Sequence, residues 1–144
     1  MQEKGMKLPR GLRNNNPLNI RKGSDWKGLR PQQTDPAFCQ FQSILYGIRA
    51  AFILMRNHIS GFKGTRRKQN TLQKLITVWA PPSENATLRY VDTVAEKVGI
   101  SKDAIIDPDD RTLMVNIARE MAFVECGVQL DRAYFTSAWD LFIR

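Results

Sequence analysis

The sequence predicts a mainly α protein with a single domain of about five helices, an irregular polar loop near its start, and room for a short β-hairpin. Three observations predict this class. The chain has 144 residues, the usual size of one domain. After Ser43, apolar residues recur at three- and four-residue spacing, as on the buried face of a helix. Before it, polar residues show no such period. Residues 1–9 are expected to form a flexible tail, so the domain spans residues 10–144.

The irregular segment is clearest in residues 10–21, the Asn-rich loop, which read RGLRNNNPLNIR. Asn side chains hydrogen bond to nearby backbone groups and compete with helix formation. Pro17 also disfavours the helical conformation at Asn16. We therefore predict an ordered polar loop that is neither a helix nor a regular strand, held in place by the helices that follow.

Short strands are predicted around residues 19–21 and 37–41, because isolated aromatic residues alternate there with glycine and proline. Phe38 and Phe41 are expected to anchor the Asn-rich loop to the core. Two bridged strands at these positions would form the short hairpin.

Five helices are predicted from capping residues and apolar faces. Ser43, Thr71 and Asp131 are expected N-caps, and Asp107 followed by Pro108 predicts the start of the fourth helix. Gly61, Gly99 and Gly127 are expected ends, as is Pro81-Pro82. The expected inward faces are Ile44, Leu45, Ile48, Ala51, Phe52, Met55 and Ile59; Leu72, Leu75, Ile76 and Trp79; Leu88, Val91, Val94, Ala95 and Val98; Leu113, Ile117, Met121 and Val124; and Tyr134, Phe135, Ala138, Leu141 and Phe142.

The net charge of +8 favours anionic partners, which include nucleic acid, lipid and cell-wall polymers. Charge alone does not choose among them, but no recognisable nucleic-acid-binding motif is present, which makes nucleic acid the less favoured partner. The basic stretch at residues 63–70 is either a solvated connector or a contact with an anionic polymer.

Metal and cofactor sites are not expected. His58 stands alone, and the spacing of Cys39 and Cys126 is not a zinc pattern. A free buried thiol is favoured for Cys126, with a disulfide to Cys39 as the alternative. No signal peptide and no membrane-spanning run are evident. We expect synthesis in the bacterial cytoplasm, with action at the cell wall or in a virion after export by another system.

Residues 79–90, WAPPSENATLRY, combine aromatic, carboxylate, amide and hydroxyl groups at one predicted helix–turn–helix corner. Aromatic rings stack on sugar faces, and polar groups hydrogen bond to sugar hydroxyls. This composition makes Trp79, Asn85, Thr87 and Tyr90 candidate glycan-binding residues. The alternative is that Trp79 belongs to the core and that Ser83, Glu84 and Asn85 serve only the start of the next helix.

Glu125 is the candidate acid. A carboxylate at the C-terminus of a helix lies at the unfavourable end of the helix dipole, which can raise its pKa as a general acid requires. The alternative is a solvent-facing Glu125 on the polar side of the helix. Glu84 is the candidate second carboxylate, because many glycosidases use two.

The Asn-rich loop resembles the RGIRNNNPGNIR opening of a family of small phage and prophage proteins described as virion structural or lysozyme-like proteins. The similarity continues through Trp26–Gly28, Phe38–Phe41, Gly47–Ala50, Trp79–Tyr90 and Glu125–Gly127, and so covers about residues 10–128. One departure is Leu18, where the family pattern has glycine. The resemblance implies a lysozyme-like, α-rich fold that cleaves or binds peptidoglycan.

The resemblance also carries a hypothesis about chain order. In lysozyme-like glucosaminidases the catalytic Glu ends a helix and an Asn-rich segment follows it, whereas here the Asn-rich loop comes first. A permuted order, with the helix ending at Glu125–Gly127 in the catalytic place, predicts that Glu125 lies beside residues 16–20. Asn14, Asn15, Asn16 and Asn19 would then bind the glycan.

Two functions remain open from the sequence. One is a peptidoglycan-cleaving glucosaminidase, muramidase or lytic transglycosylase. The other is a non-catalytic virion structural or wall-binding protein, for which other virion proteins are the expected partners.

Overall fold

Helices account for nearly all of the regular secondary structure. The computed structural model describes residues 8–80 and 83–144, apart from the side chains of Glu84 and Asn85. The helices in this part of the chain are α1 (Arg10–Arg13), α2 (Ile44–Gly64), α3 (Leu72–Trp79), α4 (Glu84–Val98), α5 (Arg111–Cys126) and α6 (Arg132–Phe142). The mainly α class is therefore confirmed. None of the described helices combines the length and the apolar character needed to cross a membrane.

Side-chain caps start each of the five longer helices. Ser43, Thr71, Ser83, Asp110 and Asp131 each accept a hydrogen bond from a backbone N–H of the first turn. At the other end, α4 and α5 stop at Gly99 and Gly127, which adopt the left-handed conformation. The expected stop at Pro81-Pro82 lies outside the described residues, as does most of the expected tail.

The predicted start of the fourth helix at Asp107 and Pro108 is wrong. These residues form a turn in which Asp110 N–H donates to the Asp107 carbonyl at 3.1 Å, and the Asp107 side chain accepts from Asp109 N–H at 2.9 Å. Asp followed by Pro is a turn signal as well as a helix-start signal. The turn delivers Asp110 to the N-cap of α5 instead.

The core forms where α2 packs along α6 and where α4 packs against α3 and α5. At its centre, the Phe52 ring lies 5.1 Å from Trp139 and 5.7 Å from Phe142. Leu88 and Tyr134, which we expected to face inward, are 40% and 43% exposed. Both lie near the start of a helix, where periodicity does not reveal whether a neighbouring element covers the side chain.

Residues 8–42, the N-terminal lobe, depart from the predicted loop at their start. Residues Arg10–Arg13 form one helical turn, because the Pro9 carbonyl accepts from the backbone N–H groups of Leu12 and Arg13 at 2.9 Å. In place of two strands, the lobe has isolated antiparallel bridges between Arg21 and Phe38 and between Leu29 and Phe41.

Buried side chains supply the hydrogen bonds that this irregular lobe lacks from regular structure. Asn16 is fully buried; its amide donates to the carbonyls of Ile20 and Cys39, and its oxygen accepts from Ile20 N–H. Asp35 accepts two hydrogen bonds from Arg10, at 2.6 and 2.7 Å, and one from Asn14 at 3.0 Å. It also accepts from the backbone of the residues that follow it, Ala37 and Phe38.

Gly47 lets the lobe approach α2. A Cβ atom at this position would lie 2.0 Å from the carbonyl oxygen of Asn15, which is far inside van der Waals contact. Asn15 itself has a φ of 51°, so the backbone in contact is already in the left-handed region. Only glycine fits at this point of the helix.

The hydrogen bonds accepted by the Asp35 carboxylate predict a stability that depends on pH. The hydrogen bonds from Arg10, and then those from the backbone, hold the pKa of Asp35 far below its ordinary value. A lowered carboxyl pKa contributes stability above the unfolded-state pKa, and this contribution is lost as pH falls below about 4. Asp35→Asn should therefore lower Tm by several degrees at pH 7, and the difference from wild type should shrink progressively below pH 4.

Thermal unfolding followed by circular dichroism from pH 7 to pH 2.5 measures this. The control is Asp92→Asn, an exposed Asp on α4, which should track the wild type at every pH. An Asp35→Asn difference that is as large at pH 3 as at pH 7 would contradict the role given to the carboxylate.

Candidate functional site

Glu125 is the second-last residue of α5 and lies half-buried against the Asn-rich loop. Its carboxylate oxygen Oε1 accepts a hydrogen bond from the Asn19 amide Nδ2 at 3.0 Å. The same amide lies 3.4 Å from the Glu125 main-chain carbonyl. The structure thus places Glu125 beside residues 16–20, as the permuted order requires, and not in the solvent-facing position of the alternative.

The conformation of Asn19 fixes this contact. Its φ is 53°, a left-handed value that Asn tolerates better than most residues. Its second amide atom, Oδ1, is buried and has no hydrogen-bond partner within the described residues. The amide therefore contacts Glu125 through its nitrogen, and its buried oxygen lies near Gly11 in the protein interior.

Tyr90 closes the other side of the site. It is 6% exposed, and its hydroxyl donates to the Met121 carbonyl at 3.4 Å, one turn before Glu125 on α5. Burial raises the pKa of Tyr90 well above its ordinary value, and the neighbouring Glu125 carboxyl raises it further. Tyr90 is consequently neutral over the whole physiological range and acts as a donor.

Burial also raises the pKa of Glu125 above its ordinary value. The hydrogen bond from Asn19, the nearby Tyr90 hydroxyl and the positive charge of Arg21 oppose the shift without cancelling it. Desolvation disfavours the charged carboxylate, so Glu125 holds its proton to higher pH than an exposed Glu. A carboxyl tuned in this direction suits general acid chemistry.

Trp79 joins the second predicted cluster to the loop. Its indole Nε1 donates to the Leu18 carbonyl at 3.1 Å, and the ring remains half-buried. Leu18, which replaces the family glycine, is fully buried and does not adopt a positive φ. Thr87 donates to the Ala80 carbonyl at 3.1 Å and so secures the end of α3. The roles predicted for Glu84 and Asn85 fall on side chains outside the described part of the structure.

The first three Asn residues of the loop serve its architecture. Asn14 is 4% exposed; its amide donates to Asp35 and its oxygen accepts from Gln40. The Asn16 amide is likewise hydrogen bonded inside the lobe, through its nitrogen and its oxygen. Asn15 donates to the Phe41 carbonyl at 3.1 Å. Burial and these internal hydrogen bonds explain Asn14 and Asn16 as parts of the lobe's architecture, and their contact with a glycan stays a prediction.

Sequence reasoning missed Asp35, Arg10 and Arg21. The Asp35-Pro36 pair signals a turn, but nothing local shows that its partner is Arg10, which lies 25 positions away. Arg21 affects the candidate site only because the fold of the loop brings its positive charge near Glu125. Among the described residues, no group of three or more His, Cys, Asp or Glu side chains could hold a metal ion. Both cysteines are free and buried.

Comparison with known proteins gives a family but no activity. No family model matches the sequence. Protein P5 of Pseudoalteromonas phage PM2 is 34% identical to it over 116 residues, which cover 78% of this chain and 69% of Protein P5. That similarity extends over most of the helical domain and agrees with the phage character implied by the motifs. The chain belongs to the phage protein family of Protein P5 from Pseudoalteromonas phage PM2.

Proposed function

We propose that the protein is a phage peptidoglycan-active enzyme that cleaves glycan strands by general acid catalysis. The observation that carries this proposal is the contact between Glu125 and Asn19, which puts a half-buried carboxyl of raised pKa against an ordered polar loop. The reaction class is that of a glucosaminidase, muramidase or lytic transglycosylase. The substrate is peptidoglycan, reached at the cell wall or from the virion.

In the proposed reaction, protonated Glu125 donates its proton to the glycosidic oxygen as the bond to the sugar carbon breaks. The electron pair of that bond leaves with the oxygen, and positive charge develops on the sugar ring. Water can then add to the ring, with its proton passing to a second carboxylate such as Glu84. Alternatively, a hydroxyl of the same sugar closes on the ring and gives its proton to the Glu125 carboxylate, which requires one acid only.

Asn19 and Tyr90 are positioning residues in this proposal. Asn19 of the Asn-rich loop donates to the Glu125 carboxylate, and Tyr90 of α4 lies close to the same carboxyl. The two side chains therefore restrict the rotation of Glu125. Fixed orientation of an acid lowers the barrier because the reacting atoms are already in place. Trp79, tied to the loop through Leu18, offers the ring on which a sugar can stack.

The second candidate is a non-catalytic phage virion structural or wall-binding protein. It is favoured by the internal use of the Asn14 and Asn16 side chains, which build a rigid lobe and contact no open surface. Such a protein would keep the glycan-binding surface near Trp79 and cut nothing. Cleavage assays separate the two candidates.

Glu125→Gln should abolish most of the activity without loss of folding. We expect a fall of about 10²–10⁴-fold in soluble muropeptide release from purified peptidoglycan, the usual contribution of proton transfer. Wild-type activity should decline as pH rises through the raised pKa of Glu125, because only the protonated form donates. Gln removes a half-buried charge, so Tm at neutral pH should equal or exceed that of the wild type.

Glu96→Gln, an exposed change on α4, is the matched control and should retain wild-type activity. Glu84→Gln reports whether a second carboxylate is used, and product mass distinguishes hydrolysis from internal ring closure. A wild type that releases nothing from several wall types would contradict the enzyme and favour the virion structural protein.

Asn19→Gly tests the positioning role. Glycine tolerates the left-handed φ of this position, so the change removes the side chain with little backbone strain. The Asn19 hydrogen bond lowers the pKa of Glu125, and its loss should shift the high-pH limb of activity to higher pH. Maximal activity should also fall.

The matched control is Asn15→Gly, which makes the same substitution at a φ of 51° but removes a contact with Phe41 and not with Glu125. It should leave the position of the high-pH limb unchanged. Equal shifts in both variants would show that the effect comes from the loop backbone and not from the Asn19 side chain.

A further inference from the structure

The basic loop, residues 63–68, carries a concentrated positive charge that the proposed chemistry at Glu125 does not use. Lys63, Arg66, Arg67 and Lys68 are all exposed. The ion pairs among the described residues involve other cations, namely Arg10, Lys97, Arg111 and Arg119. The charges of the basic loop therefore face solvent without an acidic partner in the described part of the protein.

An unusual backbone turn holds this loop in one shape. Gly61, Phe62, Lys63 and Gly64 have φ values of 68°, 53°, 60° and 83°, four positive values in succession. Positive φ values are unfavourable for residues other than glycine, so surrounding contacts must maintain them at Phe62 and Lys63. Arg66 N–H donates to the Gly61 carbonyl at 2.8 Å, and Thr65 donates to the Phe62 carbonyl at 2.7 Å. The cations are thus preorganised and not spread along a free connector.

Gly61 makes this turn possible. A Cβ atom there would lie 2.3 Å from the Arg66 carbonyl oxygen, so no other residue fits without moving the loop. At its far end, Gln69 N–H donates to the His58 carbonyl at 2.8 Å and returns the chain to α2. Both ends of the basic loop are therefore fixed to the same helix.

A row of rings connects the basic loop to the candidate site. The Arg66 guanidinium lies 4.8 Å from the centre of the Phe62 ring, and Phe62 lies 5.2 Å from His58. His58 in turn lies 6.5 Å from Trp79, whose indole donates to the Leu18 carbonyl. Leu18 directly precedes Asn19, the partner of Glu125. A continuous line of contacts thus runs from the candidate acid to the basic loop.

We propose that the basic loop is a second binding site, which holds the peptide-stem carboxylates of a peptidoglycan strand whose scissile bond lies at Glu125. This inference rests on the proposed function and names how its substrate is held. Arg and Lys bind carboxylates through charge-assisted hydrogen bonds. A strand bound at the candidate acid would pass along the row of rings from Trp79 to the basic loop. This continuity between the two sites favours a wall strand over nucleic acid as the ligand.

The test is equilibrium binding of fluorescently labelled, solubilised peptidoglycan strands, measured by anisotropy in the Glu125→Gln background so that the strand is not cut. Arg66→Gln, Arg67→Gln and Lys68→Gln are combined in one variant. The control combines Lys27→Gln, Arg56→Gln and Arg144→Gln, three exposed cations outside the basic loop, and so removes the same charge. A second ligand is the same strand with its carboxylates blocked by glycinamide.

We expect the loop variant to bind the unblocked strand roughly tenfold more weakly at low salt, with the difference closing as ionic strength rises. The control variant should bind like the parent, and blocking the carboxylates should remove the difference between variants. Circular dichroism and Tm verify that both variants fold.

Equal weakening in the loop and control variants would overturn the inference, because net charge alone would then explain binding. Tighter, loop-dependent binding of DNA than of the wall strand at matched salt would also overturn it, in favour of a nucleic-acid site. Failure of the proposed function would give a different result from failure of this inference. In that case the protein would bind strands through the basic loop, but the wild type would release no muropeptide.

Discussion

The carboxylate of Asp35 supports the N-terminal lobe, and the candidate site depends on that lobe. Residues 8–42 contain one helical turn and two isolated bridges, so most of their backbone groups have no partner in regular structure. Asp35 accepts hydrogen bonds from Arg10, Asn14 and the backbone. The buried Asn16 side chain likewise hydrogen bonds to backbone groups of the lobe. Buried polar groups that are fully paired specify one arrangement, because any other leaves some of them unpaired. The loop can therefore present Asn19 in a fixed, left-handed conformation.

The end of α5 supplies the candidate acid, Glu125. Glu125 lies where burial raises its pKa and where the helix dipole offers it no help, so the position is costly for the ionised form. Residues of this kind are more often found at functional sites than elsewhere. Asn19 limits this cost through its hydrogen bond to the carboxylate. Contacts extend outward from Trp79 through His58 and Phe62 to Arg66. The cations of the basic loop form no ion pair among the described residues.

Much of the helical scaffold could be predicted from the sequence, because caps and apolar spacing are local signals. Ser43 and Thr71 cap helices as expected, and the apolar face of α2 is buried. The Asp107-Pro108 signal misled because the same dipeptide starts a turn. The adjacency of Glu125 and Asn19 was predicted only through the family resemblance and its permuted order. The links that Asn14 and Asn16 make to Asp35 and Cys39 were not predictable, since those partners lie more than 20 positions away. The pairing of Asn16 with Ile20 is local.

The most direct test of the account is a crystal structure of the Glu125→Gln variant with a bound peptidoglycan oligosaccharide. The account predicts a glycosidic oxygen within about 2.6–3.2 Å of the residue 125 amide, with Asn19 and Trp79 in contact with the same sugar chain. The strand should leave the site toward His58 and the basic loop. An oligosaccharide bound on another face of the protein, with the Glu125 region empty, would contradict the account.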